Sequence, residues 1–208
     1  MNKRLTKIAE YINKEDSVID IGCDHGYLDI YLYKNKLCKN IIASDISKNA
    51  LEYAINNCKK ENIDIKFYLS DGLKDIYDYY DTIVISGMGT HTIIDILSFK
   101  ELPNKIILSS NNDYYLLRKF MYKLGYSIKK EDVVYENNKY YIIMCFIKNK
   151  THIKKKDLYL GFHNNIDYYT YLINKNILLL NKVPLKKKIK LKYLNKLMYK
   201  KISLIEKM

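Results

Sequence analysis

Residues 18–32 read VIDIGCDHGYLDIYL. A short β-branched run carries Asp20 near its end, meets Gly22, Asp24, His25 and Gly26, and passes into a helix-like pattern from Tyr27. A strand, a glycine turn and a helix in that order form a nucleotide-type binding turn, because glycine accepts φ > 0 and lets a ligand approach the backbone. The dinucleotide fingerprint, however, asks for GxGxxG with a pyrophosphate at the helix start. Here Asp24 holds the second glycine position. A carboxylate beside a pyrophosphate is repelled, on the order of several kcal/mol where water screens poorly. The turn therefore suits a ligand with a positive end.

Outward from this turn the chain alternates between two rhythms. SVIDI (17–21), NIIASD (40–45), DIKFYL (64–69), DTIVIS (81–86) and KIILSS (105–110) are strand-like. Residues 27–33, 48–61, 91–97 and 114–124 are helix-like. Strands apolar on both faces and alternating with helices predict a parallel sheet covered on either side. After Gly125, SIKKEDVVYE (127–136) and KYYIIMCFI (139–147) flank Asn137-Asn138, a hairpin signal, so the last strand of seven is expected to be antiparallel. Leu5, Ile8, Ala9 and Ile12 share one face of a leading helix, expected to pack at the sheet edge. The fold class is α/β, with a Rossmann-like, mainly parallel sheet.

From about residue 157 the pattern is helical throughout. Ile166, Tyr169, Ile173, Ile177 and Leu180 recur at helical spacing, as do Leu191, Leu194, Met198, Ile202 and Ile205. Pro184, between them, suits a helix start and would break a helix interior. Two such helices on a short turn are expected to fold back as an antiparallel coiled coil. The chain then divides into residues 1–150 and a helical hairpin of 151–208, with Lys148-Asn149-Lys150 as the polar linker. One hairpin satisfies both helical seams, so a monomer is expected.

The 208 residues carry a formal net charge of +13, unevenly placed. Residues 1–150 hold 22 Lys+Arg against 20 Asp+Glu, and residues 151–208 hold 14 against 3. A bias in base composition raises lysine everywhere but does not strip acids from one segment, so a polyanion is expected to meet the tail. Its lysines cluster as Lys154, Lys155 and Lys156 ahead of the helices, and as Lys186, Lys187, Lys188 and Lys190 at the second helix start, with Lys192 beyond. Tyr168, Tyr169 and Tyr171 offer stacking rings. The competing reading is a solvated lysine face over a tyrosine-rich seam. Cys23, Cys38, Cys58 and Cys145 lack CxxC spacing and the four histidines are equally dispersed, so no metal centre is expected and a reducing cytoplasm is. No run approaches the ~20 apolar residues of a membrane span, and MNKRLTKIAEYI lacks the small cleavage-type residues of a leader.

S-adenosylmethionine is a ligand with a positive end, carrying an ammonium, a sulfonium, a carboxylate, a ribose diol and an adenine. Asp20, ending the first strand, can accept from the ammonium, with backbone near Gly22 facing the methionine portion. Asp45 ends the second strand, where a carboxylate takes ribose hydroxyls. Asp71-Gly72 follow the third, where an acid accepts from the adenine amine. Any one of these acids is equally well a turn or cap residue. Three at successive strand ends beside a glycine loop fit one ligand laid across the carboxyl edge of the sheet. After the fourth strand, Gly87 and Gly89 flank Met88 in SGMGTHTIIDIL (86–97), a bare bend where reacting groups would gather.

Together DIGCDHGYL (20–28), SGMGT (86–90) and Asn111 resemble the bacterial tRNA (adenine-22-N1)-methyltransferases, the TrmK family, whose usual motifs read DIGSDHAYLP, GMGG and QPN. Cys23 and Gly26 replace Ser and Ala, Asp29 stands at the Pro, and Ser109-Ser110-Asn111 keeps only the last residue of QPN. The resemblance spans essentially the whole chain. It implies a class I SAM-dependent methyltransferase fold with a coiled-coil tail, S-adenosylmethionine as cofactor and tRNA as substrate. Cofactor-binding candidates are then Asp20, Gly22, Asp24, His25, Asp45, Asp71, Gly72, Gly87 and Met88, and those meeting the target base are Asp24, Tyr27 and Asn111.

Enzymes that methylate N6 of adenine commonly place Asn/Asp-Pro-Pro-aromatic after the fourth strand, and SGMG supplies neither the acceptor nor the ring. N1 has an in-plane lone pair and needs positioning rather than deprotonation. Asn111 is expected to accept from the N6 amine, Tyr27 to stack on the base, and Asp24 to stabilise the ring as it charges. His25 is expected to hydrogen-bond within the loop or to a substrate phosphate, not to act as a base. The rivals are methylation of another RNA or DNA base and a non-catalytic nucleic-acid binder with a vestigial pocket; the basic tail disfavours a small-molecule substrate.

Overall fold

Alternate residues of each central strand enter different cores, as the two-residue period of a strand requires. In the computed structural model, which describes residues 2–207, Ile19, Ile83, Ile85, Ile106 and Leu108 join one buried cluster. Val18, Val84 and Ile107, between them, join another. Both faces are covered, as the near-continuous apolar runs predict. The strands are β1 (Ser17–Ile21), β2 (Asn40–Asp45), β3 (Lys66–Leu69), β4 (Thr82–Met88), β5 (Lys105–Ser110), β6 (Tyr126–Glu136) and β7 (Lys139–Lys148). They lie in the order β3-β2-β1-β4-β5-β7-β6. β1 to β5 pair in parallel, and β7 pairs antiparallel with both β5 and β6. The last strand in the chain is thus the antiparallel one, lying one position in from the edge. Asn137 and Asn138 adopt left-handed φ values of 49° and 59°, the backbone of a two-residue hairpin turn whose twist matches its strands.

Helices α1 (Lys3–Ala9), α2 (Tyr27–Lys34) and α3 (Lys48–Lys60) cover one face, and α4 (Thr90–Leu97) and α5 (Tyr114–Lys123) the other. α1 lies against β6 and β7, at the edge of the sheet. It stops at Ala9, so Ile12 is buried from a turn rather than from the helix. The tail comprises α6 (Lys155–Leu160), α7 (Ile166–Leu180) and α8 (Leu185–Ile205), with Pro184 immediately before α8. Tyr169 and Ile173 of α7 pack with Met198, Leu194 and Ile202 of α8, and Asn176 Nδ2 donates to Asn195 Oδ1 at 2.7 Å. The short turn at 181–184 and this side-by-side packing set the two helices antiparallel. The seam fades toward the turn, where Ile177, Leu178, Leu185 and Ile189 are exposed.

A buried ionic joint holds the tail to the sheet. Arg118 of α5 pairs with Glu131 of β6, both almost wholly buried. Arg118 Nη1 also donates to the Leu158 carbonyl at 3.0 Å, and Glu131 Oε2 accepts from the Phe162 N–H at 3.1 Å. Gly161 sits between them at φ +74°, where a Cβ would overlap the Glu131 carboxylate and come 2.6 Å from Arg118 Nη2. Only glycine fits that close approach. Removing one partner of such a pair strands the other charge, at a cost of about 3–5 kcal/mol, so the joint specifies one placement of the tail. Tyr169 completes it, its single hydroxyl proton shared between the Leu160 and His163 carbonyls, each 3.1 Å away. Tyr168 and Tyr169 are therefore core residues, buried to 7% and 1% exposure, and the expected stacking role does not apply to them. Tyr171 alone of the three is exposed, at 45%. Among the described residues no helix is long and apolar enough to cross a membrane.

Candidate active site

Strand order reverses between β1 and β4, and in such sheets ligands bind beyond the carboxyl ends of the strands at the reversal. A cleft of about 1370 Å³ opens there, lined by Asp20, Gly22, Asp45, Asp71, Met88 and Asn111 among others. The sequence-predicted cofactor acids thus come together from three separate strand ends.

The glycine loop is held from two sides. The Gly22 and Cys23 N–H groups both donate to the Ser44 carbonyl, at 2.8 and 3.0 Å, which folds the loop over the end of β2. Gly22 sits at φ +78°, and a Cβ on it would overlap the Met88 methyl, so glycine is what lets the β4 bend descend onto the loop. Asp45 then ties two turns together. Its Oδ2 accepts from the Asp24 N–H at 3.1 Å and its Oδ1 from the Ser47 N–H at 2.8 Å. Each oxygen keeps a lone pair for a further donor.

Asp20 is 5% exposed. Burial first, and then the neighbouring Asp45 charge, lift its carboxyl to about 7, against the opposing pull of Arg4. Arg4 is a residue that motif reasoning missed. Its guanidinium lies 5.2 Å over the Tyr141 ring, and its Nη1 comes 3.2 Å from where a Gly87 side chain would begin. A signal was present: of 36 basic residues only Arg4 and Arg118 are arginines, and both line the cleft. A planar fork does what lysine cannot.

Asp71 is half-exposed and paired with Lys74, and Gly72 lines the cleft beside it. Asn111 is anchored on the β4 bend, its N–H donating to the Met88 carbonyl at 2.9 Å and its Nδ2 to the Gly87 carbonyl at 2.6 Å. That leaves Oδ1 as an acceptor. Asn112, also missed, receives the Thr90 N–H on its Oδ1 at 3.0 Å and so caps α4 from the neighbouring loop. Asp24 has a left-handed φ of 53° and a 73% exposed side chain. Tyr27, 57% exposed, stacks on His25 with centroids 5.5 Å apart. The His25 ring also meets Tyr53 at 5.3 Å, and its carbonyl accepts from Asn57 Nδ2 at 3.0 Å. That carbonyl bond ties His25 to α3 rather than within the loop; inside the loop the His25 ring approaches Asp24, with Nε2 3.7 Å from Oδ1. Of the tail lysines, Lys154, Lys155, Lys156, Lys186, Lys187 and Lys190 are exposed and Lys188 is half-buried. Lys190 reaches the cleft wall, 5.6 Å over the Tyr159 ring.

Behind the loop, Asp29 is fully buried in α2 with neither carboxylate oxygen hydrogen-bonded. Burial and then the Asp20 charge push its carboxyl well above the ordinary value of 3.8. Folded Asp29 thus keeps a proton that the unfolded chain releases above that value, and stability falls as pH rises past it. Asp29→Asn removes the ionisable group at nearly constant shape. Its melting temperature is expected to rise relative to wild type progressively as pH increases above about 4, the ordinary value being 3.8; a difference that is the same at every pH would contradict this assignment.

Residues 1–144 match the family described as a methyltransferase domain. The Bacillus subtilis tRNA (adenine(22)-N(1))-methyltransferase is 32% identical over 151 residues, 69% of this chain and 63% of that one. The structure of M. capricolum TrmK in complex with S-adenosyl-homocysteine is 30% identical, with a TM-score of 0.85 over 99% of both chains. A ribosomal protein L11 methylase from Lactobacillus delbrueckii reaches 0.59 over 71% of this chain at 21% identity, a likeness of fold alone. The likeness to TrmK, unlike that one, runs through the helical tail. By sheet, loop and tail together, the chain belongs to the TrmK family of bacterial tRNA (adenine-22-N1)-methyltransferases.

Proposed function

We propose that this chain transfers a methyl group from S-adenosylmethionine to N1 of adenine-22 in tRNA, forming 1-methyladenosine. The observation that carries the proposal is the meeting of Asp20, Asp45 and Asp71 in one cleft with the free acceptor of Asn111. When bound, S-adenosylmethionine supplies a methyl group made electrophilic by a positively charged sulfur.

The residues present suit that group and not a diphosphate. Asp20, withdrawn from water beside Asp45, is stabilised in its charged form by a neighbouring ammonium, and Arg4 suits a carboxylate on the same end of the ligand. The remaining lone pairs of Asp45 suit vicinal hydroxyls. Asp71 and Gly72 suit the adenine, and Gly22, Gly87 and Met88 leave room between loop and bend. Asp24 and His25 shape the loop's outer wall. A diphosphate would meet carboxylates at the same points and be repelled.

The chain's part in the reaction is positioning. N1 surrenders no proton on attack, so no general base is required, and the barrier falls chiefly by holding N1 in line in a site short of water. Asn111, its Nδ2 committed to Gly87, presents Oδ1 to the adenine amine. Tyr27 offers a stacking face at the rim, and Asp24 a carboxylate for the ring as it becomes cationic. Drawing the base from a folded tRNA costs a few kcal/mol, which phosphate contacts from Lys154, Lys155, Lys156, Lys186, Lys187, Lys188 and Lys190 offset. On this reading residues 1–150 carry the chemistry, residues 151–208 hold the RNA, and the protein is a cytoplasmic monomer.

Incubation with labelled S-adenosylmethionine and unmodified tRNA transcripts is expected to yield 1-methyladenosine on nucleoside digestion, and none when adenine-22 is replaced by guanine; label in any other nucleoside would overturn the assignment. Replacing Lys186, Lys187 and Lys188 by Gln is expected to reduce the slope of log affinity for tRNA against log salt by up to about three, with cofactor affinity unchanged. An unaltered slope would remove these lysines from the RNA interface.

A further inference from the structure

The cleft is larger than one cofactor requires. Its volume of about 1370 Å³ exceeds the roughly 300–1,000 Å³ of ordinary small-molecule sites. Its lining also changes character along its length. The arm that begins at Asp20 is acidic. On the side built by α5, β7 and the tail, no carboxylate among the described residues lines it, and the walls become Tyr115, Tyr140, Tyr159 and Tyr171 with Lys139 and Lys175.

These rings are arranged in pairs that bridge the sheet domain and the tail. Tyr115 of α5 stacks on Tyr159 of α6 with centroids 4.2 Å apart and planes at 18°. Tyr140 of β7 meets Tyr171 of α7 at 5.1 Å. Each pair has a lysine beside it: Lys190 Nζ is 5.6 Å from the Tyr159 centroid, and Lys175 Nζ is 5.9 Å from that of Tyr171. Burial of the tail does not require Tyr171, since Tyr168 and Tyr169 supply the core contacts. Half-exposed rings and flanking cations, on walls that hold no carboxylate although Asp167 lies near enough to act on Tyr140, are what an unpaired nucleic-acid strand needs, because bases stack on any π face while phosphates reject carboxylates.

We propose that this tyrosine arm is a stacking platform for the unpaired nucleotides that adjoin the target adenine. A base drawn out of its stack leaves its neighbours without partners, and the arm adjoins the segment after β5 that carries Asn111 and runs into Tyr115 of α5. The proposal rests on the proposed reaction for the identity of the target base, but not for the presence of the platform.

The test is a cycle between one ring and one base, using the full-length protein and binding measured by fluorescence anisotropy at fixed salt. The probes are unmodified tRNA and the same tRNA with an abasic residue on either side of adenine-22. Tyr171→Ala is expected to weaken binding of intact tRNA about tenfold, and Tyr171→Phe to restore it. One of the two abasic tRNAs is expected to bind wild type about tenfold more weakly and Tyr171→Ala no more weakly than intact tRNA does, because the interaction is already lost. Independent, multiplying losses, or a Tyr171→Ala protein that binds intact tRNA like wild type, would overturn the platform. Tyr159→Leu, on the other ring pair, gives a second variant with the same expected loss. A single-stranded RNA octamer, which requires no turnover, is expected to show the same tenfold difference, so a protein that methylates no tRNA still decides this proposal. Lower melting temperature with unchanged octamer affinity would reduce the rings to packing.

Discussion

Negative charge gathered at the end of two adjacent strands is the constraint from which the rest of this structure follows. Parallel pairing sets β1 beside β2 in fixed register, so Asp20 and Asp45 end up at the floor of the same cleft. Neither is well solvated, and among the described residues Arg4 opposes the Asp45 charge at Asp20. Charge so placed disfavours folding unless something cationic shares the site. The glycine loop, which bends over β2 and admits the Met88 bend, leaves space for that partner. Stability is given up at the carboxyl rim, and Asp29 behind the loop adds to the sacrifice.

The tail answers a different electrostatic problem. A cationic cofactor and a polyanionic RNA cannot share walls of one sign, and the cleft divides accordingly. Acids line the end built by β1, β2 and the segment after β3, while tyrosine and lysine line the end where β7 meets α6 and α7. What keeps the second end in place is the Arg118–Glu131 pair with its bonds to Leu158 and Phe162. A buried ion pair adds little net stability but tolerates few alternative geometries. That suits a joint whose task is to hold one domain's residues opposite another's.

Much of this was legible locally. Strands with apolar runs, the Asn137-Asn138 turn and the loop glycines each announce themselves over a few residues, because backbone preference and two-residue alternation act at short range. The strand-end acids were legible only jointly, since each alone is an ordinary cap. What the sequence hid was long-range. Arg4 comes to the cleft across the sheet from α1, Asn112 caps a helix from another loop, and Asp29 lies on what reads as an ordinary helix turn. The tyrosines misled in the other direction: Tyr168, Tyr169 and Tyr171 are alike as a triplet, yet packing on the sheet buries Tyr168, packing against α8 buries Tyr169, and Tyr171 is left outside. The helical seam likewise reads as continuous, yet fades at Ile177, because nothing in a heptad-like pattern states where a partner helix ends.

The central claim, that an acid held partly protonated in the free protein grips the amine of the methyl donor, is tested most directly by calorimetric titration of S-adenosylmethionine between pH 5 and pH 7. Free Asp20 is lifted to about 7, and the bound amine requires its carboxylate, so binding must release a proton below that pH. The account predicts affinity falling up to about tenfold per unit of acidification, with proton release seen in buffers of different ionisation heat, and a flat profile in Asp20→Asn. An affinity independent of pH in the wild type, or no binding at all, would contradict it.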